Sequence, residues 1–284
     1  MNNGLGTVRP GYWGSIGDSL LVDGVDECRR AVRLQIRRGA SHIKILASGG
    51  VLSRDDNPMY AQFAPEELEC IVQEAKRQGR IVAAHVHGKA GIVAAVKAGV
   101  GSVEHVSFAD EECIKLIKEN GVVYVGTRTI VEGLVATGGE GLPKKIWDKA
   151  KMIADHHLKA YKLAIAEGVT MALGTDTPPG YNQAKELEYA VSCGMSSLEA
   201  IKAATANGPL TLGPQAPKSG QLKEGYDADI IAVAENPVDD VKVLQKHDNI
   251  TWVWKGGKLF KGPSVGPWGE DYTLSDHIWP TTSS

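Results

Sequence analysis

The chain has 284 residues, 43% hydrophobic and 23% charged, with a formal net charge of −3 at pH 7. Such a mixture excludes a disordered polyelectrolyte and suffices for one large domain, or one domain with a small appendage. The most basic run, residues 29–38, interleaves Ala31, Val32, Leu34 and Ile36 with its arginines and reads as a solvated helix face, which argues against nucleic acid or an anionic membrane as partner.

In chain order, an amphipathic helix is predicted over residues 25–38, ending at Gly39 and leading into a strand at 42–46. After a long loop, Pro65 opens a helix over 66–77, with Gly79 just past its end. A strand at 81–87 precedes a helix closed by Gly99, and a strand at 102–106 precedes a helix over 110–120 that stops at Gly121. A fourth strand spans 122–127. A glycine-rich loop at 137–141 and a long helix near 144–167 follow, and a fifth strand covers 169–174. Short, continuous apolar strands separated by helices indicate a parallel sheet buried on both faces, either a doubly wound sheet or a (β/α)8 barrel. No GxGxxG or GxxxxGK[ST] follows a strand, which weighs against nucleotide binding, and no glycine-rich turn lies between Val169 and Gln183 to hold a phosphate.

Near residue 210 the pattern changes. Segments at 220–233 and 250–260 read as short β-strands with a Gly256-Gly257 turn, and no partners for them are evident in the sequence. From 262 onward the chain is rich in Pro, Gly and Trp and is expected to be irregular. The expected division is therefore 1–209 for the barrel part and 210–284 for the β-strands and tail.

The four cysteines, Cys28, Cys70, Cys113 and Cys193, form no CxxC pair and are expected to be free thiols of a reducing compartment. No apolar run has transmembrane length and residues 1–6 lack signal-peptide regions. As it stands the chain is expected in the cytoplasm, with secretion open for a longer form.

The C-terminal ends of the strands carry His85 with His87, Glu104-His105, and Asp176, and Lys44 lies in the middle of the first strand's apolar run. Polar side chains at those ends face the active site of a barrel, and two imidazoles with a carboxylate suit Zn²⁺ and similar ions. Singly, each has a plainer reading: a hydrogen-bonded core histidine, a snorkelling lysine, a helix-capping aspartate. An ammonium inside HIKIL is costly to bury without a partner. Coincidence explains one such residue easily and the whole set poorly.

The ordered set Lys44, His85, His105, Asp176 resembles the amidohydrolase superfamily in its binuclear, carboxylated-lysine form. IKILASGGVLSRDDNP from Ile43, QFAPEE from Gln62, AHVHGKA from Ala84, VEH from Val103 and ALGTDT from Ala172 resemble its prolidase-like branch, and the similarity runs over roughly residues 10–271. The resemblance implies a carboxylated Lys44 bridging two divalent metal ions, zinc by preference, with His85 and His105 on the second ion. It implies Asp176 on the first ion and as general base. His87 would polarise the substrate carbonyl or hold its carboxylate, or simply pack beneath the next helix. Arg54 and Tyr60 would grip a terminal carboxylate. The implied activity is hydrolysis of small-molecule amides, N-acyl amino acids or dipeptide-like substrates, ochratoxin-type amides included, with homo-oligomers possible.

The family's His-x-His pair at the end of its first barrel strand has no counterpart before Lys44. The predicted fold is thus a partial (β/α)8 TIM barrel of the amidohydrolase type, strands four to eight, with C-terminal strands of a small β-sandwich. A truncated chain is the favoured explanation. The alternative is a non-catalytic interaction protein on a degenerate open barrel, whose sheet edges would be free to associate.

Overall fold

The computed structural model describes residues 2–3, 20–53, 55–178, 181–263 and 265. Arg54 lies outside the described residues, as does most of the tail beyond 262. Two short strands, β1 (Asn2–Asn3) and β2 (Leu21–Val22), pair in parallel. Helix α1 (Gly24–Arg37) buries Cys28, Ala31 and Val32 and turns its arginines outward. Four units follow: β3 (Ile43–Leu46) with α2 (Pro65–Arg77), β4 (Val82–Val86) with α3 (Lys89–Ala98), β5 (Ser102–His105) with α4 (Glu111–Glu119), and β6 (Val123–Val125) with α5 (Arg128–Ala136) and α6 (Lys144–Ala166). Strand β7 (Met171–Ala172) precedes α7 (Lys185–Ser192) and α8 (Ser197–Ala204).

Among the described residues, strands β3 to β7 form a five-stranded parallel sheet in sequence order. Side chains alternate across it. Ile43, Ile45, Ala84, Val86 and Val103 face the helices and join Leu68, Ile71, Ile92, Ile114 and Ile117 in one continuous core. The opposite face carries Lys44, His85 and Glu104, and farther along a small apolar cluster of Val123, Val125 and Ala172.

Local signals set most helix ends. Pro65 occupies the first turn of α2, and Glu67 accepts a hydrogen bond from Ala64 N at 2.7 Å. The other oxygen of the same carboxylate accepts from Gly24 N at 2.7 Å, so one side chain serves the starts of α1 and α2. Helix α3 ends on Gly99 at φ 92°, and Asp110 caps α4 by accepting from Cys113 N at 3.0 Å.

Three differences from the sequence-based expectations stand out. Strand β7 is only Met171–Ala172, because Leu173 N leaves the ladder and donates to Ala203 O at 3.1 Å. Helix α5 was not expected; its first two backbone N–H groups, of Arg128 and Thr129, are met by the carboxylate of Glu186, far along the chain. The C-terminal strands do find partners within this chain. β8 (Ile230–Val233), β9 (Ile250–Lys255) and β10 (Lys258–Lys261) make an antiparallel sheet in the order β10-β9-β8. Gly256 and Gly257, at φ 56° and 79°, form the tight turn between β9 and β10.

All four cysteines are free. Burial raises the thiol of Cys28 to about 12 and that of Cys113 to about 11, which keeps both protonated and unreactive. Among the described residues no helix is long and apolar enough to cross a membrane.

Candidate active site

The site is built where β3, β4, β5 and β7 end. The register sets His85 beside Leu46 on one side and Glu104 on the other. Lys44 forms an ion pair with Glu104, whose other oxygen accepts from Ser102 Oγ at 2.7 Å. Lys44 is not the buried ammonium that its apolar neighbours suggested. Its side chain is 43% exposed because alternation places it opposite Ile43 and Ile45, on the inner face of the sheet.

His85, His87 and His105 form a cluster. Ring centroids are 4.7 Å apart for His85 and His87, 4.6 Å for His85 and His105, and 5.0 Å for the stacked His87 and His105. Simple alternation would send His105 to the helix side with Val103. Its backbone lies instead in the left-handed region at φ 70°, which turns the ring toward the mouth.

Among the described residues, the non-glycine positions at positive φ are His105, Val106, Thr127 and Asp176, all at or beyond the ends of β5, β6 and β7. For β-branched Val106 and Thr127 this conformation is costly, about 1–3 kcal/mol each, and such strain concentrates at functional sites. Thr127 Oγ1 holds His105 Nδ1 at 2.7 Å, and Ser107 Oγ holds His87 Nδ1 at 2.7 Å. Ser48 Oγ accepts from His87 N at 2.8 Å, and His85 Nε2 faces Gly49 O at 3.4 Å.

Removal from water keeps the three imidazoles neutral. His85 falls to about 4 through burial and then the charge of Lys44. Burial, reinforced by the neighbouring imidazoles, holds His87 and His105 well below the ordinary value. Asp176 shifts the other way. The residue is exposed at the mouth, yet partial withdrawal of its carboxyl from water raises the pKa, with Lys44 opposing and Glu104 adding.

The loop after β3 lies across this cluster. Gly49 N donates to Tyr60 O at 3.1 Å, and Gly88 N to Pro58 O at 2.9 Å. Only glycine fits at 49 and 88: a Cβ would stand 2.2 Å from Asn57 O and 2.6 Å from the Met59 backbone. The Tyr60 side chain is exposed at the rim.

Neutral imidazoles and a carboxylate are the right donor types for a divalent ion. In this arrangement, however, no group of three or more His, Cys, Asp or Glu among the described residues is disposed to hold one. The structure therefore brings Lys44, His85, His87, His105 and Asp176 to one end of the sheet without closing a metal cage. Sequence reasoning missed the supporting groups, Ser48, Ser107 and Thr127, and the pairing of Glu104 with Lys44. Only the strand register, which aligns Lys44 with Ala83 and His85 with Glu104, could have revealed that pairing.

A second polar cluster lies behind β6. Arg128 Nη1 donates to Ala154 O at 3.0 Å and contacts His157 Nδ1 at 3.2 Å, while His157 Nε2 meets Gly126 O at 2.5 Å. Glu186 accepts from Arg128 N and Thr129 N, both at 2.8 Å, from Thr129 Oγ1 at 2.6 Å and from Tyr161 OH at 3.3 Å. Arg128 also pairs with Glu132.

The amidohydrolase family model matches residues 5–260 of the chain. The chain is 64% identical to ochratoxinase of Aspergillus niger over 269 residues, covering 94% of this chain and 56% of that protein. The crystal structure of A. niger ochratoxinase matches with a TM-score of 0.84 at 63% identity, over 95% of this chain and 62% of that one. A Xaa-Pro dipeptidase with methionine bound in its active site matches with a TM-score of 0.80 at 34% identity, over 88% of this chain and 63% of that one. The chain spans about half the length of the curated ochratoxinase it matches. On the extent of these matches, the chain belongs to the amidohydrolase family.

Proposed function

We propose that this protein is a hydrolase of amide bonds, acting on N-acyl amino acids or dipeptide-like substrates, ochratoxin-type amides among them. The observation that carries this reading is the gathering of Lys44, His85, His105 and Asp176 at one end of a parallel sheet, in a chain 64% identical to an ochratoxinase. In this reading His85, His105, Asp176 and a carboxylated Lys44 are donors to two divalent ions, zinc by donor type, alongside donors that the described residues do not supply. Such ions, when bound, lower the pKa of water toward neutrality.

The chain's own residues do the rest. Asp176, with its raised pKa, takes a proton from the attacking water and passes it to the leaving amine. His87 is neutral, and a Ser107 hydroxyl donating to its Nδ1 leaves Nε2–H to donate to the substrate carbonyl or carboxylate. Tyr60 at the rim, with Arg54 from the same loop, grips the terminal carboxylate.

The test is metal content of the purified chain by elemental analysis, with hydrolysis of an N-acyl amino acid followed in parallel. Bound metal with turnover is expected. Soluble, metal-loaded chain with no turnover overturns the reading. A second reading, a non-catalytic interaction protein, draws on the edge strands β3 and β7 of the five-stranded sheet and the absence of a closed donor set among the described residues. A metal-free, inactive chain that binds a protein partner would favour it.

A further inference from the structure

Lys149 has no part in the chemistry above, yet it is one of the more completely enclosed lysines of the fold. It lies on α6, and its side chain is only 13% exposed. Its ammonium donates to Gly50 O at 2.7 Å, to Ser53 O, and to Asp56 O and Asp56 Oδ1, each at 3.3 Å. All these acceptors belong to the loop after β3, more than 90 residues earlier in the chain. Three carbonyl oxygens and a carboxylate around one compact cation is the donor set that also suits a bound ammonium or potassium ion. Burying an ammonium is costly unless every donor is met, so the cage fixes the loop as firmly as the loop fixes the lysine.

The loop closes on itself around the same point. Asp56 Oδ2 accepts from Gly50 N at 2.9 Å, Ser53 Oγ donates to Gly50 O at 3.0 Å, and Ser53 Oγ also pairs with Asp56 Oδ1. An apolar anchor lies beside it: Val51 packs with Val131, Ala150 and Ile153. Thus the loop is held to α6 by the buried Lys149 cage, by the Val51 packing and by an exposed ion pair of Lys145 with Asp55 at 3.4 Å, and of these the cage reaches the site. Gly49, adjoining the caged Gly50, offers its carbonyl to His85, and the charge of Lys149 acts on His87.

We propose that Lys149 is a positioning residue: its ammonium, seated in the cage of Gly50, Ser53 and Asp56, holds residues 49–53 and 55–60 in the conformation that sets Gly49 O against His85 and brings Tyr60 to the carboxylate-binding rim. The activity part of its test rests on the amidase reading; the loop part does not. Lys149 touches no substrate and moves no proton. Its loss should therefore weaken capture of the substrate's carboxylate end far more than turnover.

The experiment uses the full chain with Lys149→Met and Lys149→Arg. Hydrogen exchange is read over residues 49–60, and kcat and KM are read with a carboxylate-bearing amide. Lys149→Met is expected to speed exchange in 49–60 by about tenfold or more, with the sheet peptides unchanged, and to raise KM about tenfold with a smaller change in kcat. Ammonium chloride should reverse part of both effects by refilling the cage, whereas choline chloride at equal ionic strength should not. Lys149→Arg, which keeps the charge but not the compact shape of the ammonium, should loosen 49–53 and 55–60 less than Lys149→Met and respond less to ammonium chloride. Should Lys149→Met not fold, Lys149→Gln gives the same readouts. Unchanged exchange over 49–60, or equal rescue by choline, overturns the proposal. Ammonium-reversible loosening in a protein that hydrolyses no amide would leave this inference standing and overturn the amidase reading instead.

Discussion

The ring of His157 and the rings of His87 and His105 are buried alike in one fold, with His85 half-buried beside the latter two, and they are wired differently. His157 spends both nitrogens, one on Arg128 and one on Gly126 O. Its neighbours complete the arrangement: Glu186 takes four donors, and Arg128 is met by Ala154 O and Glu132. Burial lowers His157 to about 3, so it stays neutral and inert. At the mouth each ring has one nitrogen engaged, by Thr127, Ser107 or Gly49 O, and the other is left for something else. A saturated network fixes shape. A half-saturated one, held from behind and open in front, is prepared for a ligand.

The sharpest way to break this contrast is to truncate each cluster. Glu186→Ala removes the acceptor of four buried donors and should cost about 3–5 kcal/mol of stability, read as a large fall in denaturation midpoint. Equal stability loss on replacing His87, whose ring lies in the cluster at the mouth, would erase the distinction. His105→Ala should do the reverse, lowering kcat/KM at least about 100-fold while changing stability by about 1 kcal/mol or less. Thr127→Val tests the support alone. It keeps the β-branched shape at φ 53° but frees His105 Nδ1, and kcat/KM should drop about tenfold with metal affinity falling in parallel.

The smallest expected effect lies outside both clusters. Glu74 is buried between Arg33 and Arg77 and held at about 2, chiefly by its hydrogen bond to Arg33. Because the folded pKa is depressed, the stabilisation is present above about pH 4.5 and is lost as pH falls toward 2. Both arginines are substantially exposed, so solvent screening leaves about 1 kcal/mol. Urea titrations at pH 6 and pH 3 should show that loss in the parent and not in Glu74→Gln.

Much of this was legible in the sequence, for reasons that are local. Gly39, Gly79, Gly99 and Gly121 mark helix ends because each carries a positive φ that other residues resist. The strands β3 to β6 follow from apolar runs between those stops. The strand-end residues were readable too, since a lysine or histidine at the end of an apolar strand must face the mouth or meet a partner. What was not readable depends on distant parts of the chain. Helix α5 starts where it does because Glu186 receives its first N–H groups. The ring of His105 points as it does because its backbone is left-handed, which no pattern of alternation predicts. The C-terminal strands pair with each other through the turn at Gly256 and Gly257, although no partner for them was evident in the sequence.

Glu67 carries a further consequence. One carboxylate receives Gly24 N at the start of α1 and Ala64 N at the start of α2, each at 2.7 Å. The first turns of these two helices, distant in sequence, therefore open and close as a single cooperative unit. A fluctuation that frays one exposes the other, and the strand β3 between them, with Lys44 at its centre, inherits the lifetime of that shared knot.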